Sequence, residues 1–138
     1  MALIQIAYAS RPFGFDASIL SSILLDARRL NARDDITGAL IARHDLFLQM
    51  LEGPEAMVEA CYQRICRDDR HLEITPLLRR SIDTRLFPRW AMRDDPAESW
   101  IWSMDEVKSG AVTRATEQDV SDIFERLAQT GTNDTSIN

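Results

Sequence analysis

The chain has 138 residues, a length that suits one domain built on a single core. It is 45% hydrophobic and 28% charged, an ordinary globular balance, and its formal net charge is −6. That charge argues against a broad phosphate-binding surface, so nucleic acid is not an expected partner, whereas a basic protein partner is compatible with it.

Leu3 to Ala9 reads as a strand, broken by Ser10-Arg11-Pro12-Phe13-Gly14. Asp16 or Ser18 can cap a helix running to about Leu30, with Leu20, Ile23, Leu24, Ala27 and Leu30 at helical period. Asn31 to Asp35 is its exit. Ile36–Ala42 and Leu46–Glu52 read as a hairpin around Arg43-His44-Asp45. Gly53-Pro54-Glu55 opens a second helix, whose apolar stripe is Met57, Val58, Cys61, Tyr62 and Ile65. The charged stretch Arg67 to His71 ends it. Leu72 to Ile82 contains a strand that Pro76 marks as an edge or a bulge. Phe87 to Met92 reads as a last short strand, with Trp90 and Met92 on one face.

The order β-α-β-β-α-β-β predicts an α+β fold, the ferredoxin-like split βαβ sheet with two helices on one face. A helical extension follows. Ser103 with Glu106 and Thr116 with Asp119 have the spacing of N-terminal capping boxes. Val120, Ile123, Phe124 and Leu127 form an amphipathic stripe that would cover the open sheet face, together with Trp100 and Trp102. The expected division is residues 1–95 as the main domain, 96–130 as a helical cap and 131–138 as a flexible tail.

Cys61 and Cys66 lie five apart, about 500° around a helix, so a disulfide within it is not expected. Both read as small buried apolar residues in a reducing compartment. No apolar run approaches membrane-spanning length, and no basic stretch precedes an apolar one at the N-terminus. A cytoplasmic protein without a membrane partner is expected.

Two polar residues stand out inside apolar strands. Gln49 lies within Leu46-Phe47-Leu48-Gln49-Met50-Leu51, where an unpaired amide would cost roughly 1–3 kcal/mol. Tyr8 follows Ile4 and Ile6 at a spacing of two, so its phenol shares their face. The two could converge on one polar spot in the core. Asn31, Arg33, Asp68, Arg70 and His71 gather at the C-terminal ends of the two helices. A ligand between those helices would meet apolar walls and a polar end. There is no nucleophile constellation, no Gly-rich phosphate loop, and Glu52 has no evident acid-base partner.

These residues resemble the BLUF domains, bacterial blue-light sensors that use flavin adenine dinucleotide (FAD). The resemblance rests on Tyr8-Ala9-Ser10, Asn31 to Gly38, Phe47 to Gly53, Arg64 to His71 and Phe87 to Met92, in family order and spacing. It implies non-covalent FAD held between the two helices. It further implies that Tyr8 gives an electron and then a proton to the excited flavin, with Gln49 between that phenol and the flavin N5/C4=O edge. By the same resemblance Asn31, Arg64, Asp68, Arg70 and His71 contact the flavin or its ribityl chain. Trp90 and Met92 match a pair on the last strand, either of which lies near the glutamine depending on conformation and which would pass on the signal, and Ser10 matches a serine near the site. Leu30 and Met50 depart from the family, standing where some members carry a histidine and a large aromatic; Met50 would change the surroundings of Gln49.

The resemblance implies a photoreceptor and not an enzyme. With no room for an output domain after residue 95, the signal would go to a separate downstream effector protein; a homo-oligomer is compatible with the sequence. Two other readings use the same sheet: a small-molecule-binding regulator without flavin, and an acylphosphatase-like enzyme with Arg11 in a phosphate cradle. No metal site is expected.

Overall fold

A computed structural model describes residues 2–12, 17–43, 45–68, 71–89, 92–96 and 101–132, with only the backbone for Pro12, Ala17, His71, residues 93–96 and residues 130–132. The elements are β1 (Leu3–Pro12), α1 (Ala17–Arg33), β2 (Thr37–Arg43), β3 (Leu46–Pro54), α2 (Glu55–Cys66), β4 (His71–Ile82), β5 (Arg93–Pro96), α3 (Met104–Lys108), α4 (Ala111–Arg114) and α5 (Glu117–Thr132). The strands form one sheet in the order β4-β1-β3-β2-β5. All neighbours are antiparallel except β2 and β5, which run parallel.

The sheet has a different cover on each face. Alternation along β1 and β3 sends Ile4, Ile6, Phe47 and Leu51 to one face, where they pack on Ile23 and Leu24 of α1 and Val58 and Cys61 of α2. Ala7, Ala9, Leu46, Leu48 and Met50 point the other way, against Val112 of α4 and Val120, Ile123, Phe124 and Leu127 of α5. The amphipathic stripe of α5 therefore covers the open face as its sequence implies, and Trp102 packs partly buried beside it. Trp100 lies outside the described residues.

Both capping boxes form. Ser103 accepts from the Glu106 amide while Glu106 accepts from the Ser103 amide. Thr116 and Asp119 exchange the same pair of bonds at the start of α5. Pro76 sits on an edge strand beside a bulge: Ala7 pairs with Leu78 and Tyr8 with Pro76, which leaves Leu77 unmatched. Gly38 is required by the close approach of β2 to β3, because a Cβ there would stand 1.9 Å from the Met50 carbonyl oxygen.

Several expectations are corrected. The main one concerns the last strand, which is Arg93–Pro96 and not Phe87–Met92. The Leu86 and Phe87 amides bond a buried carboxylate on β3, so this segment does not join a ladder there. Met92 precedes the strand, and Trp90 lies outside the described residues. Pro96, assigned to the cap, instead ends β5, and the cap contains three helices among the described residues. β1 continues through Pro12, α1 takes in Asn31 to Arg33, and α5 runs on to Thr132. Met57 is exposed and not part of the α2 stripe. Cys61 is buried and Cys66 exposed, both as free thiols.

Candidate functional site

The site begins with one register. In the β1–β3 pair Tyr8 stands opposite Gln49, and in the β2–β3 pair Gln49 stands opposite Leu40. Opposed residues in a sheet share a face. The Tyr8 hydroxyl accordingly reaches Gln49 and donates to its Oε1. The amide's other end is also engaged, with Nε2 donating to Met92 Sδ at 3.4 Å. Tyr8, Gln49 and Met92 are all buried. The requirement that a buried amide be satisfied is met by a phenol and a thioether.

Burial pushes the Tyr8 phenol well above its ordinary pKa, and the neighbouring Cys61 and Tyr62 add to the rise. Tyr8 therefore holds its proton at any pH near neutrality. The Tyr62 ring packs against it, centroid to centroid 5.6 Å.

A cavity of about 170 Å³ opens between α1 and α2 on this face. Ile23, Ala27 and Leu30 of α1 and Ile65 of α2 supply its apolar walls. Gln49 lines it but Tyr8 does not, so the amide stands between phenol and cavity. Asn31, Arg64 and Asp68 also line it. Asn31 is buried and its Oδ1 accepts from Cys61 Sγ at 3.6 Å. Arg64 Nη2 is buried without a hydrogen-bond partner, and the carboxylate of Asp34 lies 3.6 Å away. Asp34 is held below the usual carboxylate range mainly by its hydrogen bond from Arg33.

Apolar walls on two sides, amides at the edge and a guanidinium with spare donors suit a planar ring with a polar rim. The residues present thus fit the isoalloxazine of a flavin. Arg64 has a donor to offer such a rim.

The structure brings Tyr8, Asn31, Gln49, Arg64, Asp68 and Met92 to this one face. Ser10 is buried at the far end of β1, opposite Phe47. His71 opens β4, its side chain outside the described residues, as is all of Arg70. Leu30 supplies apolar wall, as expected. Met50 does not flank the cavity but points to the opposite face, against the C-terminal helices. Arg11 is exposed and paired with Glu73 at 2.9 Å, which leaves no cradle around it among the described residues.

Sequence reasoning missed Glu52, Gln5 and Arg28. Glu52 is fully buried and takes bonds from Gln5 and from the Leu86 and Phe87 amides. The signal was present, since Glu52 continues the alternation of Leu46, Leu48 and Met50 toward a buried face. Arg28 of α1 reaches over to the Met92 carbonyl oxygen at 3.1 Å, a contact no local pattern announces.

The fold coincides with that of a known class. The family described as sensors of blue-light using FAD, BLUF, matches residues 3–93. The chain belongs to this family and uses FAD to sense blue light.

Among curated relatives, the photoactivated adenylate cyclase subunit beta of Euglena gracilis is 37% identical over 91 residues, 65% of this chain and 10% of that protein. The blue light- and temperature-regulated antirepressor BluF of Escherichia coli (strain K12) is 46% identical over 52 residues, 38% of this chain and 13% of that one. The chain thus spans about a tenth of the length of the curated relatives it matches. Among solved structures, BlrB, a BLUF protein in its dark state, superposes with a TM-score of 0.76 at 27% identity, covering 94% of this chain and 97% of that one. BlsA in its photo-activated state gives 0.76 at 28% identity, covering 91% and 94%. No helix among the described residues is long and apolar enough to cross a membrane.

Proposed function

We propose that this protein converts blue light into a rearrangement of the Tyr8–Gln49–Met92 hydrogen bonds and passes that change to a separate effector protein, without catalysing a reaction itself. The observation that carries this reading is the two-ended engagement of the Gln49 amide, whose oxygen accepts from Tyr8 and whose nitrogen donates to Met92. Bound FAD supplies an excited state that accepts an electron. Tyr8 is the electron and proton source on the protein side. Its proton is held at the phenol oxygen and directed at Gln49 Oε1, so proton movement through this bond frees the amide to rotate or tautomerise.

The two orientations of the amide are close in free energy for a stated reason. The Tyr8 hydroxyl can donate or accept, whereas the Met92 thioether only accepts, and weakly. Rotation therefore exchanges one weak bond for one offered at the cavity, a difference on the order of 1 kcal/mol. A small gap of this kind suits a light-biased two-state element. Asn31, Arg64 and Asp68 bind and orient the ring, with Arg70 and His71 assigned to the same task, while Ile23, Ala27, Leu30 and Ile65 exclude water from it. Met92, with Trp90, carries the change away from Gln49, and Ser10 lies near the tyrosine end. The residues through Pro96 form the sensor, and the helices from Met104 to Thr132 form its cap.

The reading as a blue-light sensor is supported by the likeness to BlrB and BlsA, which extends over 94% and 91% of this chain; the separate partner and the cytoplasmic location are part of the proposal. The test is direct. Purified protein is expected to be yellow and to show a small reversible red shift under blue light. A colourless protein that takes up no added FAD would favour a flavin-free regulator and end the proposal.

A further inference from the structure

Behind the photochemical face lies a second polar cluster that the switch does not use. Glu52 is on β3, three residues after Gln49, with its side chain on the opposite face. The carboxylate is fully buried. It accepts from Gln5 Nε2 at 2.8 Å, the Leu86 amide at 2.8 Å and the Phe87 amide at 2.7 Å. Three donors fix the position of a buried carboxylate, and the carboxylate in turn fixes the Leu86–Phe87 turn.

That turn has two neighbours of consequence. Five residues beyond Phe87 is Met92, whose sulfur takes the Gln49 amide and whose carbonyl is held by Arg28. The Phe87 ring meets Phe124 of α5 edge-on, with centroids 6.2 Å apart and planes at 85°. A second branch leaves Glu52 through Gln5, whose Oε1 accepts from Arg80 Nε at 2.8 Å. Arg80 Nη2 donates to Ser121 Oγ at 3.1 Å, and Ser121 donates to Glu125 at 2.8 Å. Both branches end on α5, one by ring contact and one by hydrogen bonds.

We propose that Glu52 is the positioning residue that couples the switch to α5. Gln49 and Glu52 share β3, so by holding the Leu86–Phe87 turn Glu52 ties the strand that carries the switch to the ring contact with Phe124. The output surface is then the exposed side of α5. The proposal rests on the photosensor reading above and adds to it the residue that transmits and the element that reports. Packed elements of this kind shift between discrete arrangements and do not deform smoothly.

Glu52→Gln tests this. It keeps the shape but replaces one acceptor oxygen by a donor, so one of the three N–H groups loses its partner. Phe124→Leu is the second variant; it keeps an apolar side chain on α5 and removes the ring contact. Hydrogen exchange across Glu117 to Gln129 is measured in darkness and under blue light, with the absorption shift recorded on the same FAD-loaded samples. The parent is expected to change protection in α5 on illumination. Both variants are expected to keep the red shift and lose the light–dark difference in α5. A purely structural role would alter exchange equally in both conditions and leave the difference intact, and that result overturns the proposal. A parent that red-shifts with unchanging α5 exchange overturns it too. A parent without a red shift overturns the photosensor reading, and this proposal with it. Should Glu52→Gln not fold, Phe124→Leu decides between the same outcomes.

Discussion

Tyr8 donates its phenolic hydrogen to Gln49 Oε1 across the β1–β3 pair, the acceptor end of an amide bonded at both ends. With its oxygen turned to the phenol, the amide nitrogen must point toward Met92. The cavity between α1 and α2 is lined by this amide, which is bonded from behind to the sheet.

Tyr8→Phe removes the donor and leaves the ring. The variant is expected to fold and bind FAD, to lose about 1–3 kcal/mol because Gln49 Oε1 is left buried without its partner, and to show no parent-like photocycle. Denaturant unfolding and transient absorption check the two halves. An unchanged red-shifted product would remove Tyr8 from the mechanism.

The raised pKa of Tyr8 gives a pH dependence with a definite sign. The folded protein retains this proton at pH values where the unfolded chain, with an ordinary phenol near 10.0, has released it. Stability linked to Tyr8 is thus fully present below that value and falls as pH climbs above it toward the folded pKa. Tyr62, pushed up to about 12, acts in the same direction. Thermal unfolding between pH 7 and 11, compared with Tyr8→Phe, is the check. The parent should lose stability more steeply above roughly pH 10, and the red-shift amplitude should be flat below it.

Arg64 has a buried donor without a hydrogen-bond partner beside the cavity. Arg64→Met keeps the stem and removes the charge. FAD affinity should fall by roughly tenfold, the effect of losing one charge-assisted hydrogen bond. Flavin titration followed by fluorescence measures it; unchanged affinity would place Arg64 outside the cofactor site.

Gly38→Ala places a methyl against the Met50 carbonyl of the neighbouring strand. Overpacking against backbone should cost about 1–3 kcal/mol or more, with β2 displaced from β3. A change in Tm within error of the parent would contradict the close approach described here.

How much of this was legible beforehand depended on whether the signal was local. The alternation of Ile4, Ile6 and Tyr8, the all-apolar run around Gln49 and the period of Val120 to Leu127 are local patterns. They placed β1, β3 and α5 and the two polar residues that meet. Pro76 announced an edge strand and a bulge because a missing N–H has the same effect in any sheet.

Phe87 to Met92 was misread as a strand because its composition suits one. The groups that prevent a ladder are a carboxylate on β3 and a ring on α5, both distant in sequence. Arg93-Asp94-Asp95-Pro96 has no strand composition, yet it pairs with β2, because β2 leaves an open edge beside it. The pairing of Arg28 with the Met92 carbonyl was invisible for the same reason. Cys66 was misplaced because its position on the helix alone does not say which side faces the sheet.

The central claim is that the Gln49 amide is the switch, and Gln49→Leu tests it most directly. The variant keeps a similar shape and removes both hydrogen bonds. Visible absorption of FAD-loaded parent and variant is recorded before and after blue light. The account predicts that both bind flavin, that the parent shifts slightly to the red and returns in darkness, and that Gln49→Leu shows no shift. A red shift in Gln49→Leu equal to that of the parent would contradict it.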